Sequence, residues 1–134
     1  MRRYCAALIA GLGLALAGPA CGGTEDEPET GAHNLATLEA EVFNRCSFTS
    51  CHVGGGAAGL NLEAPIHGKI VNQPSSQFPD LVLVKPGSPG DSYLYVKLTA
   101  TPPPEGKPMP FGGPLKSADI ARVERWILDG ALDD

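Results

Sequence analysis

The chain has 134 residues, and its 10 Lys and Arg against 15 Asp and Glu give a net charge of -5, which becomes -7 once Arg2 and Arg3 leave with the leader described below. A chain this acidic has no basic patch with which to neutralise phosphates, which argues against nucleic acid as a partner, and its length allows one domain. With 6% aromatic residues but 17 Gly and 13 Pro, much of it must be loop, with little apolar mass to offset the entropy of ordering.

Residues 1–20 read as an export signal: Arg2 and Arg3 precede an apolar run from Ala6 to Ala17, then small residues follow. The run is too short for a comfortable membrane span. Ala17-Gly18-Pro19-Ala20-Cys21-Gly22-Gly23 resembles a bacterial lipoprotein signal, which implies that Cys21 becomes the lipid-modified first residue and anchors the chain to a membrane. Cys5 leaves with the leader. With Cys21 acylated, Cys46 and Cys51 are the thiols that remain.

Residues 21–33 include the polar, acidic stretch Gly22 to Gly31, which lacks apolar periodicity and reads as a flexible tether. The folded domain is expected over residues 34–134. Leu35, Leu38, Val42 and Phe43 recur at steps of three and four, with Glu39, Glu41 and Arg45 between them. The spacing predicts an amphipathic helix that ends at the loop beginning with Cys46.

That loop is Cys46-Ser47-Phe48-Thr49-Ser50-Cys51-His52. A cysteine pair ending directly in Cys-His is the pattern that attaches c-type haem, through thioether bonds from both sulfurs and an axial imidazole from the same loop. Four residues separate the cysteines where two is usual, so the middle of the loop has to bulge outward. The residues by themselves leave two other chemistries open: a Cys46–Cys51 disulfide in an oxidising compartment, and a zinc site that would need a fourth ligand from far along the chain.

Gly54 to Gly59 (Gly-Gly-Gly-Ala-Ala-Gly) lets backbone run close against a flat ligand, or is a plain flexible loop. Pro65 is placed to open a short helix through Ile66, Ile70 and Val71 that stops before Pro74. His67 in that helix is the rival for a second iron ligand. Leu81 to Val84 reads as a short buried strand or an extended segment. A Pro/Gly turn then leads to a helix capped by Asp91 or Ser92, with Leu94, Tyr95 and Leu98 packing.

Between Thr101 and Pro114 stand six of the thirteen prolines, which stiffen the segment without letting it join a helix or sheet. Its centre is Pro108-Met109-Pro110, and Met109 is the single methionine beyond the initiator. A thioether held by flanking prolines is a soft axial ligand that would raise the potential relative to a His/His pair; otherwise it fills a gap in the core. The last helix is expected from an N-cap at Ser117 to Asp129, with Asp119 on the helix dipole and Gly130 as the stop. Ile120, Val123, Trp126 and Ile127 form its apolar stripe, with Arg122, Glu124 and Arg125 assigned to water and Trp126 to the core.

The order of these pieces, Cys-x4-Cys-His with glycines following, Leu60-x-Leu62, Pro86-Gly-Ser-Pro-Gly-Asp-Ser-Tyr-Leu94, Pro-Met-Pro, and Leu115-x-Ser117-x-Asp119-Ile120 leading to Trp126-Ile127-x-x-Gly130-Ala131, resembles the cytochrome c-like domains of bacterial secreted proteins and lipoproteins, the planctomycete and myxobacterial kind in particular. It covers roughly residues 34–132. The resemblance implies a small all-α domain of about four short helices with long Pro/Gly-rich loops, holding one covalent haem c. Cys46 and Cys51 would be the thioether anchors, His52 the proximal ligand and Met109 the distal one. The expected function is single-electron transfer with a redox partner protein at the cell envelope, as a periplasmic or outer-membrane lipoprotein and not as an enzyme. The expectation from a different class is a haem-free structural or binding lipoprotein with the Cys46–Cys51 disulfide.

Overall fold

The computed structural model describes residues 32–134. The export signal, Cys21 and nearly all of the tether lie outside the described residues. Within them the chain is helix-rich, with four α-helices: α1 (Leu35–Glu41), α2 (His67–Ile70), α3 (Tyr93–Thr99) and α4 (Ser117–Leu128). Single 3₁₀ turns stand at Phe43–Arg45, Ala57–Gly59 and Pro89–Asp91. The all-α expectation therefore holds. Extended backbone pairs through isolated bridges alone, joining Val71 to Val84, Pro74 to Val82 and Val82 to Ser92, so Leu81 to Val84 is a packed extended segment and not part of a sheet.

The helix at the N-terminal edge of the domain is short but well terminated. Asn34 accepts from the Thr37 N–H at 2.9 Å, while the Asp134 carboxylate takes the Leu35 N–H and the Asp134 carbonyl takes the Ala36 N–H, each at 2.9 Å. Three N–H groups that a helix start leaves orphaned are thus satisfied, two of them from the far end of the chain. Leu35, Leu38, Val42 and Phe43 are buried, as their spacing predicts. The helix tightens to a 3₁₀ turn at Phe43, which delivers the chain into the Cys46 loop.

Helix α4 packs against both α1 and α3. Val123, Trp126 and Ile127 are buried, and Trp126 donates its indole N–H to the Leu132 carbonyl at 2.9 Å, which satisfies the one polar atom of the largest core side chain. Gly130 at φ +104° turns the chain out of the helix and directs Ala131 back under it, where its N–H reaches the Trp126 carbonyl at 2.8 Å. A left-handed residue beyond a helix end favours glycine because no Cβ opposes it.

Several local expectations are corrected. Ser117 is the first residue of α4, not its cap; Lys116 holds the cap position without a side-chain bond. Ser92 precedes α3, but its hydroxyl donates to Ser88 O at 2.8 Å and accepts from Lys85 N at 2.9 Å, which ties the preceding turn instead of capping the helix, while Asp91 pairs with Lys85. Pro65 lies before the single turn α2, where Ile66 precedes the first helical residue and donates its N–H to Glu39 Oε1 at 2.7 Å. Arg122 does not face water. It is 6% exposed, with Nε donating to Ala32 O at 2.9 Å, Nη2 lying 2.9 Å from Glu41 and Nη1 3.6 Å from Asp119. Its stem lies along the edge of the apolar stripe while its head finds carboxylates on α1 and α4.

Candidate haem site

The Cys46–His52 loop is closed across its base. Its ends are fixed by the Cys46 N–H to Phe43 O at 2.9 Å and by the His52 N–H to Cys46 O at 3.2 Å. Ser47 Oγ bonds the carbonyls of Phe43 and Leu62, and Leu62 N donates to His52 O at 2.8 Å. With the base tied this tightly, the extra residues between the cysteines stand out into solvent. Phe48 is 57% exposed, and Thr49 and Ser50 are exposed beside it.

The glycine run completes the loop. The Ala57 N–H returns to Cys51 O at 2.8 Å, and this return passes so close that a Cβ placed on Gly56 would run into the Cys51 carbonyl oxygen. Backbone atoms on both sides are held by hydrogen bonds and cannot retreat cheaply. Gly56→Ala should destabilise the domain by roughly 1–3 kcal/mol, whereas Gly112→Ala, with open space around the new methyl, should leave thermal stability within about 0.5 kcal/mol; paired melting curves check this.

A cavity of about 400 Å³ opens on this loop, within the range of cofactor and ligand sites. Cys46, Cys51 and His52 line one wall, Leu60, Leu62, Leu83 and Leu94 give it apolar sides, and Met109 reaches it from the proline loop. The residues singled out for their chemistry, distant in sequence, therefore share one cavity. The rival does not. His67 bonds Ala131 O through Nε2 at 3.0 Å, lies 4.0 Å from Asp133 and is absent from the cavity wall. His33 pairs with Asp129 at 3.0 Å, which leaves His52 as the histidine of the site.

Two thiols and an imidazole are the donor groups on this wall. Cys46 and Cys51 are free thiols, both half-buried. Burial pushes the Cys46 thiol up from its ordinary pKa, the neighbouring Arg45 cation opposes this, and Cys51 adds to it. His52 Nδ1 is buried with no hydrogen-bond partner among the described residues, a condition that buried polar atoms of folded proteins seldom keep. Among the described residues no group of three or more His, Cys, Asp or Glu is gathered to hold a metal ion. Two thiols and an imidazole on the wall of an apolar cavity, with a thioether reaching it from another segment, are a donor set that fits a c-type haem.

Helix α3 contributes residues that the sequence reading assigned to packing or passed over. Tyr93, Leu94, Lys97 and Leu98 all line the cavity, and their spacing of one, three and one places them on one helix face. Lys97 is 7% exposed. Its backbone carbonyl accepts from Met109 N at 2.8 Å, while its ammonium and the Tyr93 hydroxyl both donate to Glu105 O, at 3.1 and 2.8 Å. These bonds hold the proline loop against α3 and so fix where Met109 enters. A lysine between Leu94 and Leu98 on an apolar face was the available signal. Gln77, Ser75 and Ser76 also border the site, and nothing in their local sequence marked them.

Comparison of the chain with protein-family models, with curated proteins and with solved structures gives no match.

Proposed function

We propose that this chain is an exported, lipid-anchored monohaem c-type cytochrome that passes single electrons at the cell envelope. The observation that carries the proposal is the meeting of Cys46, Cys51 and His52 with Met109 in one largely apolar cavity, although the two segments are far apart in the chain. Haem iron, when bound, supplies a one-electron Fe(II)/Fe(III) couple.

The residues divide the work of holding it. Cys46 and Cys51 would anchor the ring by thioether bonds, and His52 and Met109 would ligate its iron. The leucines exclude water, which favours a stable couple over ligand exchange. With His52 and Met109 both bound to it, the iron would have no coordination site for a substrate, which favours electron transfer as the role. The acidic chain suits a redox partner with a basic contact surface, and lipid on Cys21 with the acidic tether would keep the domain near a membrane.

The deciding experiment is a pyridine haemochrome spectrum of the chain expressed with an active c-type maturation system. The expected result is an α-band at the position of a thioether-linked haem, in protein that keeps its colour on a denaturing gel. Colourless protein with Cys46 and Cys51 joined in a disulfide would overturn the proposal in favour of a haem-free lipoprotein.

A further inference from the structure

The charged groups of the cavity do not match the chain that builds it. The sequence carries 15 acidic residues against 10 basic ones, yet the cavity wall has no Asp or Glu and includes two cations, Arg45 and Lys97. Arg45 is already paired with Asp119 at 2.6 Å. Lys97 is not paired: among the described residues no carboxylate lies within 4 Å of its ammonium.

An ammonium has three N–H donors. One goes to Glu105 O at 3.1 Å, and the Tyr93 ring centroid lies 5.8 Å away. A cation more than nine-tenths buried with so little compensation is costly. The surroundings include further donors. Gly106 at φ +70° lets the chain pass beside both: a Cβ there would stand 3.0 Å from Lys97 Nζ and 3.2 Å from Gln77 Nε2, so ammonium and amide flank the same stretch of backbone. Ser75, 3% exposed, uses its oxygen to accept from Phe78 N and retains its hydroxyl hydrogen.

We propose that Lys97, with Gln77 and Ser75, is a carboxylate-binding subsite of this cavity, which therefore takes a flat apolar ligand carrying an anionic edge. Resting on the haem proposal above, it assigns the ring's carboxylate side chains to the α3 wall. The apolar part of the cavity binds the ring, and the buried ammonium selects for the acid.

The test uses the full chain expressed without haem maturation and two metal-free probes read by fluorescence, protoporphyrin IX and its uncharged diamide. The diacid should bind at least about tenfold more tightly, close to 1.4 kcal/mol. Lys97→Met should remove that preference by weakening the diacid alone. Gln77→Leu, at an exposed position that does not endanger folding, should reduce the preference by a smaller factor. Equal binding of the two probes by the unaltered chain, or equal weakening of both by the variants, overturns the subsite while a positive haemochrome leaves the haem proposal standing. Binding of neither probe by a chain that also yields no covalent haem overturns both.

Discussion

Met109→Ala should convert the haem-loaded protein from a low-spin to a high-spin absorption spectrum and lower its reduction potential. The fall is expected on the order of 0.1 V, a fraction of the roughly 0.8 V that axial ligands span. The side chain enters the cavity because the backbone behind it is held: Met109 N donates to Lys97 O at 2.8 Å, and Glu105 is gripped by the Tyr93 hydroxyl and the Lys97 ammonium. Truncation to Ala removes the sulfur without releasing that anchor, so the loss of the ligand is read in isolation. His67→Ala is the control. Its imidazole is occupied by Ala131 O outside the cavity, and its removal should leave spectrum and potential unchanged. An unaltered spectrum in Met109→Ala would take Met109 out of the ligand set.

Trp126→Ala should cost about 3–5 kcal/mol of folding stability. Trp126 is 2% exposed and belongs to the cluster that joins α1 and α4. Its removal leaves a large void and also strips the Leu132 carbonyl of its partner at 2.9 Å, which loosens the tail that returns to cap α1. In a domain of this size each kcal/mol moves Tm by about 4 °C or more, so thermal unfolding should shift down by at least about 12 °C. Trp126→Phe, which keeps most of the volume and loses the indole N–H, should cost markedly less. A small shift for the alanine variant would mean that the core closes around other residues.

Both predictions concern residues that the sequence marked for different reasons. Met109 stood out by rarity and by its flanking prolines, and Trp126 by its place in a stripe at helical spacing. Such signals are local: periodicity in three and four residues, caps, stops and a cysteine pair before a histidine. They were sufficient for α1 running into the Cys46 loop, for the apolar stripe of α4 and for Gly130 as its end, whereas the all-α class followed from the resemblance and not from any local signal.

What they missed depends on segments that meet only in three dimensions. Arg122 looked like a solvent-facing position of α4, yet the carboxylate of Glu41 on α1 and the Ala32 carbonyl let its head be buried. His67 looked like a rival ligand until the return of the chain after Gly130 put Ala131 O beside it. Asp134 reaches α1 from the other end of the domain, and no local pattern encodes that.

By itself, then, the sequence determined the elements, the chemistry available in the Cys46–His52 loop and the isolation of Met109, because these follow from residue type and short spacing. Only the tertiary structure decided that loop and methionine share a cavity, that His67 lies elsewhere, and that a buried lysine stands in the wall. Those outcomes turn on how the proline loop docks against α3 and α4 against α1, contacts whose energies come from burial and hydrogen bonds between distant segments.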